Sequence, residues 1–123
     1  MLTIKETADK EAAQRFLDFR KISYSLANDI VMTCMEENEI LGVASLALKD
    51  TKVYLNLLIT AAEDLALQLG LAKSLMNLAD LHGIKMLYGS NSDLEKIYSA
   101  LRFQRSEEEY CISLEGYFTA EHK

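Results

Sequence analysis

The spacing of apolar residues changes twice along the chain, and each change marks a different kind of element. Leu2 and Ile4 alternate with polar residues as in a short strand. Apolar positions then recur every three or four residues up to about residue 24, which predicts a helix capped by Thr7. From residue 29 the period becomes two in the stretches IVMTCM, EILGVASLAL and KVYLNLLIT. Residues 30–59 are therefore predicted to form three consecutive antiparallel strands.

The second half of the chain returns to helical spacing and ends on strands. Apolar side chains share one face over the later part of residues 63–82, and Gly83 follows where a left-handed helix cap is favoured. Residues 84–88, IKMLY, predict a buried strand that is parallel to its neighbour, because a helix intervenes. Ser92 caps a further helix, and residues 110–118 predict the last strand.

The predicted order of elements is β, α, three strands, α, β, α, β. An antiparallel meander followed by an αβαβ segment gives a mixed sheet with helices on both faces. The fold class expected from the sequence is therefore α/β (α+β). Between the strand at residues 84–88 and the third meander strand we expect a splay.

Length and charge restrict what the chain can do. It has 123 residues, which suit one domain with a single core over residues 1–123. Thirteen Lys and Arg against nineteen Asp and Glu give a net charge of −6, so nucleic acid is not an expected partner. The chain carries neither a leader-like apolar segment nor an apolar run of about 20 residues, so we expect a cytoplasmic protein without membrane contact.

Cysteine and histidine positions do not predict a metal site. Cys34 and Cys111 are far apart and follow no ligand spacing, which favours two reduced thiols over a disulfide or a reactive thiol. His82 and His122 are too isolated for a metal centre or a histidine-based triad. No metal is therefore expected.

The order of elements resembles that of the GNAT superfamily of acyl-CoA N-acyltransferases. Gly42 falls where the third strand of this family commonly has a glycine. Residues 70–76, GLAKSLM, resemble the second half of the family's phosphate-loop motif, Q/R-x-x-G-x-G/A, and the helix that this motif opens.

Two further matches lie in the last third of the chain. Asn91 and Tyr98 resemble the family spacing N-x-x-A-x-x-x-Y, with Leu94 in place of the alanine. Residues 98–103 resemble its Y-x-x-x-G-F ending, with an arginine in place of the glycine. The resemblance covers residues 29–118.

The resemblance implies an acetyltransferase that moves an acetyl group from acetyl-CoA, its co-substrate, to a primary amine of a small molecule or peptide. Amides at a helix N-terminus suit a pyrophosphate, and an extended pantetheine arm can pair like an added strand. Tyr98 is implied as the acid that protonates the leaving thiolate, and Asn91 as a hydrogen-bonding partner of the cofactor. The implied pyrophosphate residues are Gly70, Leu71, Ala72 and Lys73. The implied arm-binding residues are Leu58, Ile59 and Thr60.

The segment before Gly70 departs from the family pattern. Leu67 stands where the family has Gln or Arg, and the run from Thr60 to Glu63 is a capping-box pattern that would begin a helix early. A helix that begins there places Gly70 in its interior, without free amides, whereas a helix that begins at Gly70 keeps the loop. The sequence leaves both placements open. The lost polar position is expected to weaken CoA binding by about 1–3 kcal/mol.

The acceptor side is less defined than the donor side. Where the family often has a carboxylate base, the inward residue of the third meander strand is Asn56, and Glu63 or Asp64 could act only through a water. No base is assigned. The short N-terminal part leaves the acceptor site open or completed by a second copy of the chain, in a homodimer. Glu109 lies in an acidic turn that either attracts a cationic amine or is simply solvated.

Two other functions stay open at this point. A degenerate GNAT-like module could bind CoA or a partner protein without turnover, which the residues at positions 56, 67, 69 and 102 favour. A nucleotide-binding domain of another α/β family is disfavoured, because such folds alternate strands and helices from the start. If CoA binds, its adenosine end is expected near Lys73 or Arg102.

Overall fold

A computed structural model describes residues 2–117, in which seven strands form one mixed sheet of order β1-β2-β3-β4-β5-β7-β6. The strands are β1 (Leu2–Glu6), β2 (Ile30–Glu36), β3 (Glu39–Lys49), β4 (Lys52–Thr60), β5 (Met86–Gly89), β6 (Gln104–Arg105) and β7 (Tyr110–Ser113). The helices are α1 (Lys10–Phe19), α2 (Leu65–Leu81) and α3 (Glu95–Ala100), and a 3-10 turn, Ser92–Leu94, precedes α3. The predicted mixed α/β fold is confirmed.

Strands β2, β3 and β4 form the predicted antiparallel meander. Two-residue turns join them, and the turn residues have a left-handed backbone: φ is 49° at Glu37, 71° at Asn38, 56° at Asp50 and 100° at Thr51. Such turns match the twist of antiparallel strands. The prediction for residues 30–59 is therefore confirmed.

Strand β5 lies beside β4 in parallel, as predicted, although it begins at Met86 and not at residue 84. Only one register pair joins the two strands, Tyr54 with Tyr88. Strand β5 ends at Gly89, while β4 continues to Thr60. The two strands therefore separate, and the predicted splay is present.

Helix α1 is shorter than its apolar spacing predicted. Asp9, not Thr7, caps it, because the Asp9 carboxylate accepts from the amide of Ala12 at 3.1 Å. Thr7 instead accepts from the amide of Asp9 at 3.1 Å. Lys21, at φ 60°, follows the end of the helix. The chain from there to β2 is a loop, so the prediction of a helix over residues 7–24 is wrong at both ends.

The helices cover both faces of the sheet, as expected. Helix α1 packs through Phe16 and Leu17 on one face, and α2 and α3 pack together on the other. Gly42 lies on β3 beneath α2, where a Cβ atom would come within 3.2 Å of the Leu71 side chain. A glycine at this position therefore lets α2 lie close to the sheet. Within residues 2–117, no helix is long and apolar enough to span a bilayer.

The C-terminal part differs from its prediction in two ways. Strand β7 ends at Ser113, and the predicted strand end at Phe118 lies outside the described residues, as does His122. A short strand that the sequence analysis did not predict, β6, pairs with β7. Arg102 adopts a left-handed backbone with φ 70°, so the turn keeps a glycine-like conformation although it carries an arginine.

Candidate functional site: a cleft between diverging strands

The splay between β4 and β5 opens into a cleft of about 490 Å³. One wall is the last part of β4, and the opposite wall is the segment from the end of β5 to α3. The first turn of α2 closes one end. The lining residues are Leu58, Ile59, Glu63, Leu65, Gln68, Asn91, Asp93, Leu94, Lys96 and Ile97. A volume in this range suits a small-molecule ligand.

A β-bulge in β4 marks the other end of the cleft. Ser45 of β3 pairs with Leu57, whereas the next residue, Leu46, pairs with Leu55. Asn56 is therefore an extra residue without a partner in β3. Bulges bend a strand and redirect its side chains.

Asn56 joins β4 to the segment after β5 at the point where the two strands part. Its side-chain amide donates to the hydroxyl of Ser90 at 2.9 Å, and its side-chain oxygen accepts from the amide of Ser90 at 2.7 Å. The side-chain amide of Asn91 donates to the carbonyl of Asn56 at 2.8 Å. These bonds fix the closed end of the splay. We call the three bonds among Asn56, Ser90 and Asn91 the clamp; the sequence indicates Asn56 as an inward residue but does not predict these bonds.

Asn91 lines the cleft, as the resemblance implies, and it also has a structural task. Its side-chain oxygen accepts from the amide of Asp93 at 3.0 Å and caps the 3-10 turn. Because its amide group binds Asn56, both polar ends of the side chain have partners within the chain. Contact of Asn91 with a ligand stays a prediction.

Tyr98 lies at the closed end of the splay and is completely buried. Its hydroxyl donates to the carbonyl of Leu55 at 2.6 Å and also lies 3.2 Å from the side-chain oxygen of Asn56. The amide of Asn91 approaches the same hydroxyl at 3.5 Å. Burial raises the pKa of Tyr98 to about 12. The phenol therefore keeps its proton at neutral pH and donates it in a hydrogen bond to a backbone carbonyl.

The packing around the Tyr98 ring explains why residue 89 is a glycine. A Cβ atom at Gly89 would overlap this ring, so only glycine fits at the end of β5. Phe103 and Tyr110 contact the ring from other sides, with centroid distances of 5.1 Å and 4.9 Å. The hydroxyl of Tyr98 is thus held in one position by its surroundings.

Helix α2 begins at Leu65, five residues before Gly70. Of the two placements that the sequence leaves open, the interior position of Gly70 is therefore found, and the position at the helix start, on which the pyrophosphate residues depend, is wrong. Asp64 caps it: the carboxylate accepts from the amide of Leu67 at 3.2 Å, and the backbone carbonyl accepts from the amide of Gln68 at 2.9 Å. The capping-box alternative is not the start either, because Thr60 donates its hydroxyl to a backbone carbonyl in the turn. Leu65, Leu67 and Leu69 alternate as in a strand, so apolar spacing does not indicate this helix start.

This start places the four residues predicted to hold pyrophosphate inside α2. Only the first four amides of a helix lack helical partners, and Gly70 is the sixth residue. Leu71 and Ala72 are also completely buried, on the side of α2 that packs into the core. The amides of Gly70, Leu71, Ala72 and Lys73 are therefore used within the helix and do not form an anion cradle.

The charge at the N-terminus of α2 is negative. Glu63 and Asp64 are both exposed there, and Glu63 lines the cleft. Lys73 and Arg102, the cations expected near the adenosine end, line a separate cavity of about 710 Å³. Among the described residues, the cleft lining contributes one cation, Lys96.

Glu109 has a partner within the chain. Its carboxylate accepts from the ammonium of Lys52 and from the hydroxyl of Tyr54, both at 2.9 Å. The hydrogen bonds from Lys52 and then Tyr54 hold the pKa of Glu109 below its usual value. The Lys52 ammonium also lies 4.7 Å from the ring centroid of Tyr88. The Glu109 carboxylate is therefore paired with a lysine, so it is neither a free charge for an amine nor simply solvated.

A buried carboxylate on the opposite face was missed. Asp29 accepts from the hydroxyls of Tyr24 at 2.7 Å and Ser45 at 2.8 Å. Burial, and then the neighbouring Asp29, raises the pKa of Tyr24 to about 12. These bonds attach the loop after α1 to β3 next to the bulge. An acidic residue directly before an apolar strand is the signal that could have indicated it.

Comparison with known proteins gives structural similarity only. No family model and no curated protein matches the sequence. An N-acetyltransferase from Staphylococcus aureus Mu50 has a TM-score of 0.74 at 17% identity, and the match covers 93% of this chain and 98% of that chain. An acetyltransferase of the GNAT family from the same organism has a TM-score of 0.66 at 12% identity, covering 93% and 99%.

N-acetylglutamate synthase from Neisseria gonorrhoeae, complexed with coenzyme A and N-acetyl-glutamate, has a TM-score of 0.73 at 15% identity. That match covers 93% of this chain and 35% of the synthase. All three identities are too low to carry function, but the matches show the fold. The chain has the GNAT fold, as its sequence resemblance implied.

Proposed function

We propose that the chain is an N-acyltransferase that moves an acetyl group from acetyl-CoA to the primary amine of a small molecule or peptide. The observation that carries this proposal is the cleft beside β4. There the strand has parted from β5 and faces a ligand-sized space along Leu58 and Ile59. The proposal treats residues 1–123 as one domain and leaves open a homodimer that completes the acceptor site.

The cleft suits the pantetheine arm of the co-substrate. The arm is extended and carries two amides, so it can pair with a strand edge in the way a peptide does. Residues 57–60 lie beyond the clamp and span about 13 Å of extended chain. Backbone groups of Leu58, Ile59 and Thr60 are the proposed partners, and Leu94 and Ile97 supply an apolar wall.

The reacting end of the arm is proposed to lie at the closed end of the splay. Attack by the amine forms the C–N bond, and collapse of the tetrahedral adduct breaks the C–S bond. The nitrogen loses a proton and the thiolate gains one. Asn56 cannot serve as the base, because a carboxamide does not accept a proton at neutral pH.

Tyr98 stays the predicted proton donor to the thiolate. Its buried phenol is protonated and lies beside Asn56 and Asn91. A pKa of about 12 makes it a weak acid, so donation also requires that the hydroxyl leave the carbonyl of Leu55. The alternative is a positioning role, in which this bond fixes the bulge.

A second candidate function is a GNAT-fold module that binds CoA or a partner protein without turnover. One observation favours it specifically: the Asp64 carboxylate occupies the end of α2, where the resemblance implies a pyrophosphate. A carboxamide where the family often has a carboxylate points the same way.

Thiol release from acetyl-CoA in the presence of a panel of primary amines separates the two functions. Amine-dependent release, with acetylated amine identified by mass spectrometry, supports the transferase. Binding of CoA measured by calorimetry without release on any amine supports the module. Absence of both binding and release at millimolar CoA contradicts the transferase.

A further inference from the structure

We infer that the acyl donor is recognised through its uncharged pantetheine arm, and that the carboxylates of Glu63 and Asp64 repel the phosphates of CoA and weaken its binding. This donor preference rests on the proposed transferase function: it keeps the acyl transfer from a pantetheine thioester to an amine, and it differs from the proposed acetyl-CoA in the nucleotide end of the donor. The favoured class is an acyl thioester of pantetheine that lacks the nucleotide diphosphate.

The direction of the cleft brings the two carboxylates to the far end of the arm. The clamp around Asn56 closes one end of the splay, and β4 leads away from it to Thr60 and the start of α2. A thioester near Tyr98 therefore sends the other end of its arm towards Glu63 and Leu65, which line the cleft there.

The N-terminus of α2 is already capped by an anionic side chain. The carboxylate of Asp64 accepts from the amide of Leu67 at 3.2 Å, so an incoming phosphate meets a negative charge beside the helix amides and reaches the amide of Leu67 only by displacing this bond. Glu63 adds a second negative charge on the cleft side. A helix N-terminus attracts phosphate only while its amides and its positive field are free.

The remaining charges do not reverse this repulsion. Asp93 and Lys96 both line the cleft wall opposite β4, so their charges oppose each other. The whole chain carries a net charge of −6. CoA carries several phosphate charges, 4′-phosphopantetheine carries one phosphate group, and pantetheine carries none. Affinity is therefore expected to fall in the order pantetheine, 4′-phosphopantetheine, CoA.

Isothermal titration calorimetry with these three thiols at low ionic strength tests the preference. We expect CoA to bind about threefold more weakly than pantetheine, or weaker still, and added salt to narrow the difference. The phosphopantetheine titration distinguishes the effect of a single phosphate group from that of the nucleotide.

A charge-removal variant makes the test specific. Glu63→Gln combined with Asp64→Asn keeps a side-chain acceptor at the helix cap, so α2 is retained. We expect this variant to bind CoA about tenfold more tightly and pantetheine unchanged. The matched control is Glu107→Gln with Glu108→Gln, which changes the net charge equally in an exposed turn and is expected to leave the ratio of the two affinities unchanged.

The outcomes separate the two proposals. If CoA binds more tightly than pantetheine, and the Glu63/Asp64 variant does not alter the ratio, the donor preference is wrong while the cleft remains a CoA site. If none of the three thiols binds at millimolar concentration, the cleft is not a pantetheine site, and the proposed function fails with it.

Discussion

Replacement of Tyr98 by phenylalanine removes one buried hydroxyl at the closed end of the splay and tests what that group does. The ring remains, so the contacts with Phe103 and Tyr110 and the fit against Gly89 are retained. The carbonyl of Leu55 loses its donor at 2.6 Å, and both residues are completely buried. The substitution therefore removes the bond to Leu55 together with the longer contacts of the hydroxyl with Asn56 and Asn91.

The expected loss of stability follows from that bond. A buried acceptor left without a donor costs about 1–3 kcal/mol of unfolding free energy. In a chain of this size such a loss lowers Tm by about 3–15 °C. Urea unfolding followed by far-UV circular dichroism measures it. Tyr54→Phe is the control, since it removes a hydroxyl that bonds the half-buried Glu109, and we expect a clearly smaller loss there because the bond is open to solvent.

Turnover of the same variant separates proton donation from positioning. If Tyr98 protonates the thiolate, kcat falls about 100- to 10,000-fold while KM for acetyl-CoA changes little. If the hydroxyl only fixes the bulge at Asn56, both stability and KM change and kcat is largely retained. An unchanged kcat rejects the general acid, and unchanged stability refutes the assignment of the buried bond to Leu55.

Three further predictions follow from the packing and the titrating groups. Gly89→Ala forces a methyl into the ring of Tyr98 and is expected to cost about 1–3 kcal/mol in urea unfolding; a neutral result contradicts the packing at β5. Gly70→Ala, at an interior helix position with room for a methyl, is expected to stabilise by about 0.5–1 kcal/mol without changing CoA affinity, whereas a loop with free amides at Gly70 would lose affinity. Burial raises the folded pKa of Tyr24 and Tyr98 to about 12, so their contribution to stability is complete below pH 10 and is lost as the pH rises from about 10 to 12. Denaturant midpoints across that range should fall less steeply in the Tyr98→Phe variant, and parallel curves would contradict the raised pKa.

Much of the fold could be predicted because apolar spacing reports which face of an element is buried. The period of two over residues 30–59 located the meander, and Gly83, at φ 81°, marked the end of α2. The start of α2 could not be predicted from apolar spacing, because it depends on one polar residue. The carboxylate of Asp64 caps the helix by accepting from a nearby amide, and this bond does not affect the pattern of apolar positions. The alternating leucines before Gly70 also resemble a strand, although they form the first turns of a helix.

The candidate site was predicted in part. The spacing from Asn91 to Tyr98 correctly placed both residues beside the splay. It could not show that the tyrosine donates to Leu55, 43 residues earlier in the chain, or that a bulge makes Asn56 the clamp. These features depend on the register between strands, which residue types alone do not reveal.

The most direct test of the account is to find where the pantetheine arm binds. Backbone amide NMR of the isotope-labelled chain, titrated with pantetheine and separately with CoA, reports each amide along β4. We predict the largest shift changes at Leu58, Ile59 and Thr60, with smaller changes at Asn91. Unchanged signals at those four positions, or changes centred on the separate cavity at Lys73, would contradict the assignment of the cleft as the donor site.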